Sequence, residues 1–330
     1  MNRLFRRSAV IIVACLVAMG SGACASTPKT PVLTPVTVQL QWIHQAQFAG
    51  FYAASQNGDY ASEGLAVTFI EGGAQVDNLA PVLNGRAQFG VATAEQLIAA
   101  RAGGQPLRAI AVDYRRSPSV FITLADSGIT RPQNFAGKKI RAPAPVIATL
   151  EAMTSRVGVT PDQYTVVDLP SDINVFRSGE IPVWNAFLNS FVIQVQQAGI
   201  KINIIYPDDY GVHFYADTII TTDDFIATHP DLVTRFLRAT LKGWTYAIEN
   251  PDTIGPMVQK YDPTANPGLE NAEMTASLPL VNTGEDHIGW MKPEVWAGME
   301  KTLRAQGVLT ESLDITQVYT LQFLQEVYGN

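Results

Sequence analysis

The sequence predicts an α/β protein with two lobes, parallel-type sheets flanked by helices, two hinge crossings and a helical C-terminal tail. Two successive series of alternating strand and helix patterns carry this prediction, because such alternation favours parallel sheets with helices on both faces. The body that follows the first 35 residues is also long enough to build two hydrophobic cores rather than one.

The first series covers residues 36–112 and alternates four strand patterns with three helix patterns. The strand patterns lie at residues 36–40, 66–70, 88–92 and 107–112. Between the first two strands, Phe48, Phe51 and Tyr52 recur at helical spacing. A second helix ends near residue 84, and a third covers residues 95–102. This order predicts one sheet with its helices on both sides.

A second, smaller series begins after the β-rich stretch 119–124. Its strands are predicted at residues 139–141, 165–169 and 202–205, with helices near 149–157, 173–178 and 192–198 and a short segment at 183–187. The β-branched stretch 217–222 then returns the chain to the first series. Residues 230–249 form a clean amphipathic helix, and further helices are predicted near 253–260, 269–278, 293–306 and 316–328.

This arrangement predicts the domain organisation. The first lobe comprises residues 36–118 and 219–330, and the second lobe comprises residues 119–218. Two crossings, near residues 117–124 and 215–222, form a hinge between them. A ligand cleft is expected where the carboxyl ends of the strands of both sheets meet.

The N-terminus is typical of an export signal. Residues 1–23 combine three arginines, an apolar run from residue 9 to 19 and small residues up to residue 23. Cleavage there leaves Cys24 first, in a position that resembles the bacterial lipobox, so we expect Cys24 to be lipidated. Residues 24–35 are then a Pro- and Thr-rich tether. The alternative is an ordinary signal peptide in which Cys24 is incidental.

Composition and motifs exclude several classes of function. The formal net charge is −7 and there are no basic clusters, so nucleic acid is not an expected partner. No G-x-S-x-G, G-x-G-x-x-G, G-x-x-x-x-G-K-[ST] or H-E-x-x-H motif occurs. No catalytic residue, metal or cofactor is therefore predicted. Asp208, Asp209 and His213 share one loop, which is read as solvated or as a ligand wall rather than as a metal site.

Ligand-binding candidates concentrate where a predicted strand ends and a helix begins. Trp42 follows the first strand, and Gln47, Phe48 and Tyr52 follow on the next helix. Flat aromatic faces beside amide groups suit a small heterocycle, because stacking and a few oriented polar groups fix such a ligand. The alternative for Phe48 and Tyr52 is that they pack the helix onto its sheet.

Other candidates follow from their position at further strand ends. Thr93 and Glu95 open a helix, although Glu95 also suits a helix N-terminus without any ligand, and Tyr114 follows the next strand. The turn at residues 142–148 offers backbone N–H groups. The second lobe and the second crossing add Trp184, Asn185, Asn189, Tyr210, His213 and Tyr215. For Trp184, a place in the core is favoured slightly over a stacking role at the cleft.

The opening of the body resembles a known family. The similarity extends over nearly the whole body, and the family contains the yeast thiamine-pyrimidine synthase and bacterial binding proteins for aminopyrimidine thiamine precursors, riboflavin and sulfonates. Across the corresponding positions this sequence has Trp42, His44, Gln47, Ala49, Gly50, Tyr52, Ala54, Gly58, Tyr60, Glu63, Gly64 and Leu65, and all of them except His44 are the residues usual in the family.

The resemblance implies a type II periplasmic-binding-protein fold that captures a small aromatic heterocycle, such as a thiamine pyrimidine precursor or a riboflavin-like molecule, without catalysis or a cofactor. It also implies a monomer that is anchored to the membrane on its extracytoplasmic side and works with the permease subunits of an ABC importer.

The sequence departs from the family pattern at the positions that hold a ligand. His44 replaces the usual proline, and Asn189-Ser190-Phe191 stands where many members have Asn-Glu-Pro. The cysteine-rich motif of the yeast synthase is missing, which disfavours synthesis of a thiamine precursor. A synthase-like enzyme and a ligand-sensing surface protein remain the alternatives.

Overall fold

The structure is a computed structural model that describes residues 32–73 and 75–329. The predicted signal at residues 1–23, the lipidation site Cys24 and most of the tether at residues 24–35 lie outside the described residues. Across the described part of the chain, no helix combines the length and apolar character that a bilayer crossing requires.

Ten strands form two sheets of five. In chain order they are β1 (Thr34–Gln39), β2 (Leu65–Ile70), β3 (Phe89–Thr93), β4 (Leu107–Val112), β5 (Ser119–Leu124), β6 (Lys139–Arg141), β7 (Thr165–Val167), β8 (Val183–Phe187), β9 (Ile202–Ile205) and β10 (Asp217–Thr222). The first sheet has the order β2-β1-β3-β10-β4, and the second has the order β7-β6-β8-β5-β9.

Thirteen α-helices are present in the described residues. Those before the second crossing are α1 (Ala49–Gln56), α2 (Asp59–Ser62), α3 (Ala80–Leu83), α4 (Ala94–Ala102), α5 (Ile147–Ser155), α6 (Ile173–Ser178) and α7 (Phe191–Gln197). Those after it are α8 (Asp223–Thr228), α9 (Pro230–Glu249), α10 (Ile254–Val258), α11 (Pro267–Val281), α12 (Pro293–Ala305) and α13 (Gln322–Tyr328).

The chain passes from the first sheet to the second between β4 and β5 and returns between β9 and β10. The strands that follow these two crossings, β5 and β10, run antiparallel to their neighbours. Strand β5 pairs antiparallel with β8 and β9 in the second sheet. Strand β10 pairs antiparallel with β3 and β4 in the first sheet, with Asp217 opposite Thr93. The remaining pairs, such as β1 with β2 and β6 with β8, are parallel. The predicted fold class, including two crossings, is confirmed.

Most element predictions agree with the structure. The strands predicted at residues 107–112, 119–124, 139–141, 202–205 and 217–222 and the helix at 230–249 have the observed bounds. The short segment at 183–187 is the strand β8. The helix predicted at 316–328 is instead a 3-10 turn at Ile315–Gln317 followed by α13, because the intervening segment pairs Tyr319 with Ala109. The predicted lobe boundaries stay a prediction.

Helix α9 is the long central helix of the first lobe and packs tightly on α1. Its apolar stripe is buried as the sequence predicts, and Phe236 stacks on Phe89 with ring centroids 3.8 Å apart. Gly243 lets the two helix backbones approach closely. A Cβ at this position would overlap the carbonyl oxygen of Gly50 and lie 2.6 Å from the backbone nitrogen of Ala54.

We therefore expect Gly243→Ala to lower the free energy of unfolding by about 1 to 3 kcal/mol, because the atoms in the way are backbone atoms. The matched control is Gly298→Ala on α12, where a Cβ meets no atom within 4 Å. Alanine should there be neutral or stabilising, since it favours a helix over glycine. Urea unfolding measures both, and equal effects of the two substitutions would contradict the packing argument.

Candidate functional site

A cavity of about 520 Å³ lies between the two sheets. This volume falls in the range of ordinary small-molecule sites. The cavity opens at the carboxyl ends of the parallel strands of both sheets, which is where the sequence places it. Its walls come from the segments that follow β1, β3 and β4 in one sheet and β6 and β8 in the other.

Five predicted site residues line this cavity. Gln47 precedes α1, and Thr93 and Glu95 lie at the start of α4. Tyr114 follows β4, and Asn189 follows β8. The structure therefore brings these five side chains together, although their contact with a ligand stays a prediction.

Thr93 begins α4 with a capping box. Its hydroxyl accepts a hydrogen bond from the N–H of Gln96 at 3.2 Å, while the Gln96 side chain accepts from the N–H of Thr93 at 3.2 Å. Such reciprocal bonds satisfy two free donors of the first turn. The cap fixes where α4 begins and so holds Glu95 at the cavity wall.

The second lobe contributes a helix start and an aromatic side chain. Ala144, Val146, Ile147, Ala148 and Thr149 line the cavity where α5 begins, within the turn that the sequence singles out for its backbone N–H groups. Phe187 ends β8 and keeps 43 % of its surface exposed. A flat apolar face is thus available from the second lobe.

Two carboxyl groups face the cavity from the first lobe. Asp217 opens β10 and is only 4 % exposed, and Glu95 follows Thr93, the residue paired with Asp217 in the sheet. Burial raises the pKa of Asp217 to about 7. The hydrogen bond from the Gln47 side chain opposes this rise, and the negative charge of Glu95 adds to it. Burial also raises the pKa of Glu95 to about 7, against its own backbone N–H and the Thr93 hydroxyl.

A chain of two amide groups orients Asp217. The Gln45 side-chain amide donates to Oε1 of Gln47 at 2.5 Å, and the Gln47 amide donates to Oδ2 of Asp217 at 2.5 Å. Because Gln47 Oε1 is already an acceptor, its NH₂ group must face the carboxyl. Asp217 is therefore held as a hydrogen-bond acceptor.

A third acid lies behind this pair. Asp113 directly follows β4 and is 1 % exposed. Its N–H donates to the carbonyl of Asp217 at 2.8 Å. Neither oxygen of its carboxyl group has a hydrogen-bond partner among the described residues. Burial and then the charge of Asp217 raise its pKa well above the usual range, so the edge of the first sheet carries a cluster of poorly solvated acids.

Asn189 connects the two lobes across the cavity. Its amide donates to Oγ of Ser277 on α11 at 3.1 Å and to the hydroxyl of Tyr114 at 3.4 Å. The Tyr114 hydroxyl in turn donates to Ser277 at 3.1 Å. These bonds join the two sides of the cleft in this structure.

Trp42, the leading aromatic candidate, does not line the cavity. The chain continues beside β2 after β1 ends, because Leu40 donates to the carbonyl of Ile70 and Gly72 donates to the carbonyl of Trp42. The chain bends over residues 41–45. Gln41 lines the cavity, whereas Trp42 is not among the lining residues and remains 38 % exposed.

Phe48 and Tyr52 are core residues, which corrects their placement in the site. Both are fully buried, since α1 packs against α9 and α10. The Tyr52 ring stacks on Tyr261 with centroids 4.4 Å apart, and its hydroxyl bonds to Nδ1 of His44 at 2.8 Å. Phe48 and Tyr52 therefore pack in the core, which is the alternative to ligand contact that the sequence left open.

Trp184 and Asn185 also lie away from the cavity. Trp184 is fully buried and stacks on Phe191, with centroids 6.0 Å apart and planes within 13°. The Asn185 amide donates to Oγ of Ser119 on the neighbouring strand at 2.8 Å. Both residues lie inside β8, whereas only Phe187 and Asn189, at and beyond its end, reach the cavity.

The three candidates before the second crossing lie outside the cavity as well. Tyr210 packs against the core, and the Tyr215 hydroxyl accepts from the N–H of Lys292 at 2.8 Å. His213 is exposed and bonds through Nδ1 to Asp208 at 2.5 Å. Phe214, between two of these residues, lines the cavity instead. In the described part of the chain, no three His, Cys, Asp or Glu side chains form a group that fits a metal ion.

Several residues that line the cavity are not among those predicted from the sequence. Asp217 has one usable signal, because an acid opens an otherwise β-branched buried strand at a crossing. Glu151 lies on α5, three residues beyond the predicted turn. Leu303, Gln306 and Val308, at the end of α12 and beyond, carry no such signal, since amphipathic spacing shows which helix face is buried but not what covers it.

Solved structures share this two-lobed architecture. The periplasmic aliphatic sulphonate binding protein of Escherichia coli superposes with a TM-score of 0.68 at 14 % identity, covering 86 % of this chain and 91 % of that one. At this identity the likeness defines the fold class, a type II periplasmic-binding-protein fold.

Residues 45–254 match the family described as NMT1/THI5 like, and the chain belongs to that family. It is 24 % identical to the riboflavin-binding protein of Chloroflexus aurantiacus over 96 % of this chain and 97 % of that protein. It is 24 % identical to the 4-amino-5-hydroxymethyl-2-methylpyrimidine phosphate synthase of Legionella pneumophila, covering 88 % and 92 % of the two chains. The formylaminopyrimidine-binding protein of Halalkalibacterium halodurans is 22 % identical, with 78 % and 80 % covered. The family resemblance predicted from the sequence is confirmed.

The raised pKa values of Glu95 and Asp217 predict how stability depends on pH. Both groups ionise near pH 4 in an unfolded chain and near pH 7 when folded. Between these values the folded protein binds more protons, so the free energy of unfolding should fall as pH rises from about 4 to about 7 and then level off.

The double variant Glu95→Gln/Asp217→Asn should remove part of this fall, on the order of 1 to 3 kcal/mol. Urea unfolding of the ligand-free protein at pH 4.5 and 7.5 measures it. Glu311→Gln, at an exposed position, is the control. If the free energy of unfolding of the double variant falls with pH as much as that of the wild type, the fall does not come from Glu95 and Asp217.

Proposed function

We propose that this protein is the extracytoplasmic solute-binding component of an ABC importer and that it captures a small aromatic heterocycle between its lobes without chemistry. The observation that carries this proposal is the cavity of about 520 Å³ between two α/β lobes joined by two antiparallel strands. Such a cavity exchanges its ligand by opening and closing a hinge.

Closure is supported by the bonds that Asn189 makes across the cleft. Its amide reaches Ser277 and Tyr114 in the opposite lobe, and opening must break both bonds. A ligand favours the closed form only to the extent that it binds this form better than the open one. A ligand that contacts both walls of the cavity meets this condition.

The aromatic content of the walls supports a flat ligand. Phe187 comes from the second lobe, Phe214 lies before the second crossing, and Tyr114 comes from the first crossing. Stacking against such rings contributes about 0.5 to 1.5 kcal/mol per pair beyond area burial. Phe187 takes over the role that the sequence suggested for Trp42.

Export, the lipid anchor on Cys24 and docking to permease subunits complete the proposal. They are supported by the signal pattern of residues 1–23 and by relatives that are named as binding proteins. A monomer is sufficient for this role, because each chain contains both walls of the cavity.

The alternative is a synthase-like enzyme, because four of the similar proteins are named as pyrimidine phosphate synthases. The chain has only two cysteines, Cys15 and Cys24, which both precede the predicted body. The cysteine-rich motif expected from the resemblance to the yeast enzyme is thus missing. Turnover in the presence of iron and pyridoxal phosphate would support the enzyme, and its absence supports binding.

Native mass spectrometry of the protein purified without refolding tests the proposal directly. We expect a bound molecule below about 500 Da that absorbs in the ultraviolet and is released on unfolding. X-ray scattering should show a larger radius of gyration after the ligand is removed, because the lobes separate. A ligand-free protein whose radius does not change with any added heterocycle would overturn the proposal.

Substitution of Phe187 tests the aromatic wall. We expect Phe187→Ala to weaken binding of 4-amino-2-methylpyrimidine at least tenfold by calorimetry, because the ring loses its stacking partner. Phe187 is 43 % exposed, so the fold should survive. Trp42→Ala is the matched control and should leave the affinity unchanged. The opposite pattern, with an effect only at Trp42, would contradict the placement of the wall.

A further inference from the structure

The charged groups on the cavity wall are all of one sign. Glu95, Glu151 and Asp217 contribute carboxyl groups, and no lysine, arginine or histidine occurs among the described residues that line the cavity. The wall therefore offers several strong acceptors and no cation that could neutralise an anionic ligand.

Two arginines near the crossings are bonded elsewhere, and a third, Arg116, does not line the cavity and lies 3.9 Å from Asp208. Arg115 donates to Asp286 at 2.6 Å and to Thr283 at 2.5 Å. Arg141 donates to the backbone carbonyls of Leu169 at 2.7 Å and Asn185 at 3.1 Å. Turning either side chain toward the cavity would break these buried bonds. The one-sided charge of the wall is thus a fixed property of the fold.

The acceptor character of Asp217 is also fixed. The relay from Gln45 through Gln47 uses only Oδ2. No other side-chain hydrogen bond to Asp217 is present among the described residues, so Oδ1 is free to accept from a ligand. Glu95 presents a second carboxyl group from the adjacent strand end.

We propose that Glu95 and Asp217 are the specificity-determining pair of this cavity. They accept hydrogen bonds from a donor edge of the ligand, formed by an amino group and the N–H of an adjacent protonated ring nitrogen, and they reject solutes whose polar group is an anion. This inference rests on the proposed function and narrows its ligand class. Charge-assisted bonds of this kind are about twice as strong as neutral ones.

The N-termini of α4 and α5 both lie at the cavity and favour negative charge. Each helix end carries about half of an elementary charge, so together they supply less than the two carboxylates at the same cavity. The N-terminus of α5 suits a neutral acceptor, such as a ring nitrogen or carbonyl, at the far end of the ligand. An anion would meet like charge across a poorly solvated space, which disfavours its binding.

The inference separates this chain from a structural neighbour. The Escherichia coli protein is named for aliphatic sulphonates, and the two proteins share a fold at low identity. We expect no sulfonate binding here, because the charged groups of the wall are all carboxyl groups and none of the described lining residues is a cation.

Calorimetry with matched probes tests the inference at pH 8.5, where Glu95 and Asp217, whose pKa values are raised to about 7, are mostly ionised and act as acceptors. The first probe is 4-amino-2-methylpyrimidine, and the second is 2-methylpyrimidin-4-one, in which oxygen replaces the amino group. Ethanesulfonate is the anionic probe. We expect the amino compound to bind at least tenfold more tightly than the oxo compound, and ethanesulfonate not to bind.

The variants Glu95→Gln and Asp217→Asn place an amide donor where the wild type has an acceptor. Gln47 can still donate to the remaining oxygen of Asn at position 217, which preserves the local structure. We expect each variant to lose at least tenfold in affinity for the amino compound and to keep or gain affinity for the oxo compound. Glu311→Gln is the control for loss of one negative charge, and circular dichroism verifies folding.

The outcomes separate this inference from the proposed function. Equal or tighter binding of the oxo compound by the wild type overturns the donor-edge assignment but leaves heterocycle capture in place. An unchanged preference in both variants overturns the role of Glu95 and Asp217. Binding of ethanesulfonate alone, or of no heterocycle, overturns the inference and the proposed function together.

Discussion

The two antiparallel crossing strands are the constraint on which the rest of this structure depends. β5 and β10 each lie inside a five-stranded sheet and bond to a strand on either side. Each crossing joins the carboxyl end of a parallel strand in one sheet to the start of an antiparallel strand in the other, so the carboxyl ends of the parallel strands in both sheets face one space. Leaving the sheet would break the hydrogen bonds on both edges of β5 or β10, so the hinge motion that we propose would be confined to the segments between the sheets.

This constraint also decides which side chains can reach a ligand. Residues just beyond a strand end, such as Glu95 and Asn189, face the cavity. Residues inside a strand or on a helix face, such as Trp184 and Tyr52, are required by the core and are fully buried. Large aromatic side chains contribute more to folding by burial than they do at a partly open wall. This explains why the more conspicuous aromatic residues of the sequence are core residues.

Much of the fold follows from local patterns, because hydrophobic alternation and helical spacing are properties of neighbouring residues. The bounds of β10 and α9 were therefore accessible from sequence. The direction of Trp42 was not, since it depends on the bonds that prolong β1 beside β2. The wall formed by Leu303 and Gln306 was equally inaccessible, because only the packing of α12 against α4 and α5 brings that helix to the cavity.

The buried acids connect the geometry of the cleft to its closure. Asp113, Glu95 and Asp217 lie in one poorly solvated cluster, and burial raises the pKa of each. An acid that is desolvated without a partner destabilises the closed arrangement. Under the proposed function, opening the cleft would return water to Glu95 and Asp217, whereas in the closed form a ligand with nitrogen donors would add to the bond that Gln47 already donates to Asp217. The two carboxyl groups that we propose as the specificity-determining pair would then also couple closure to binding, because the donors of the ligand offset part of the cost of their burial.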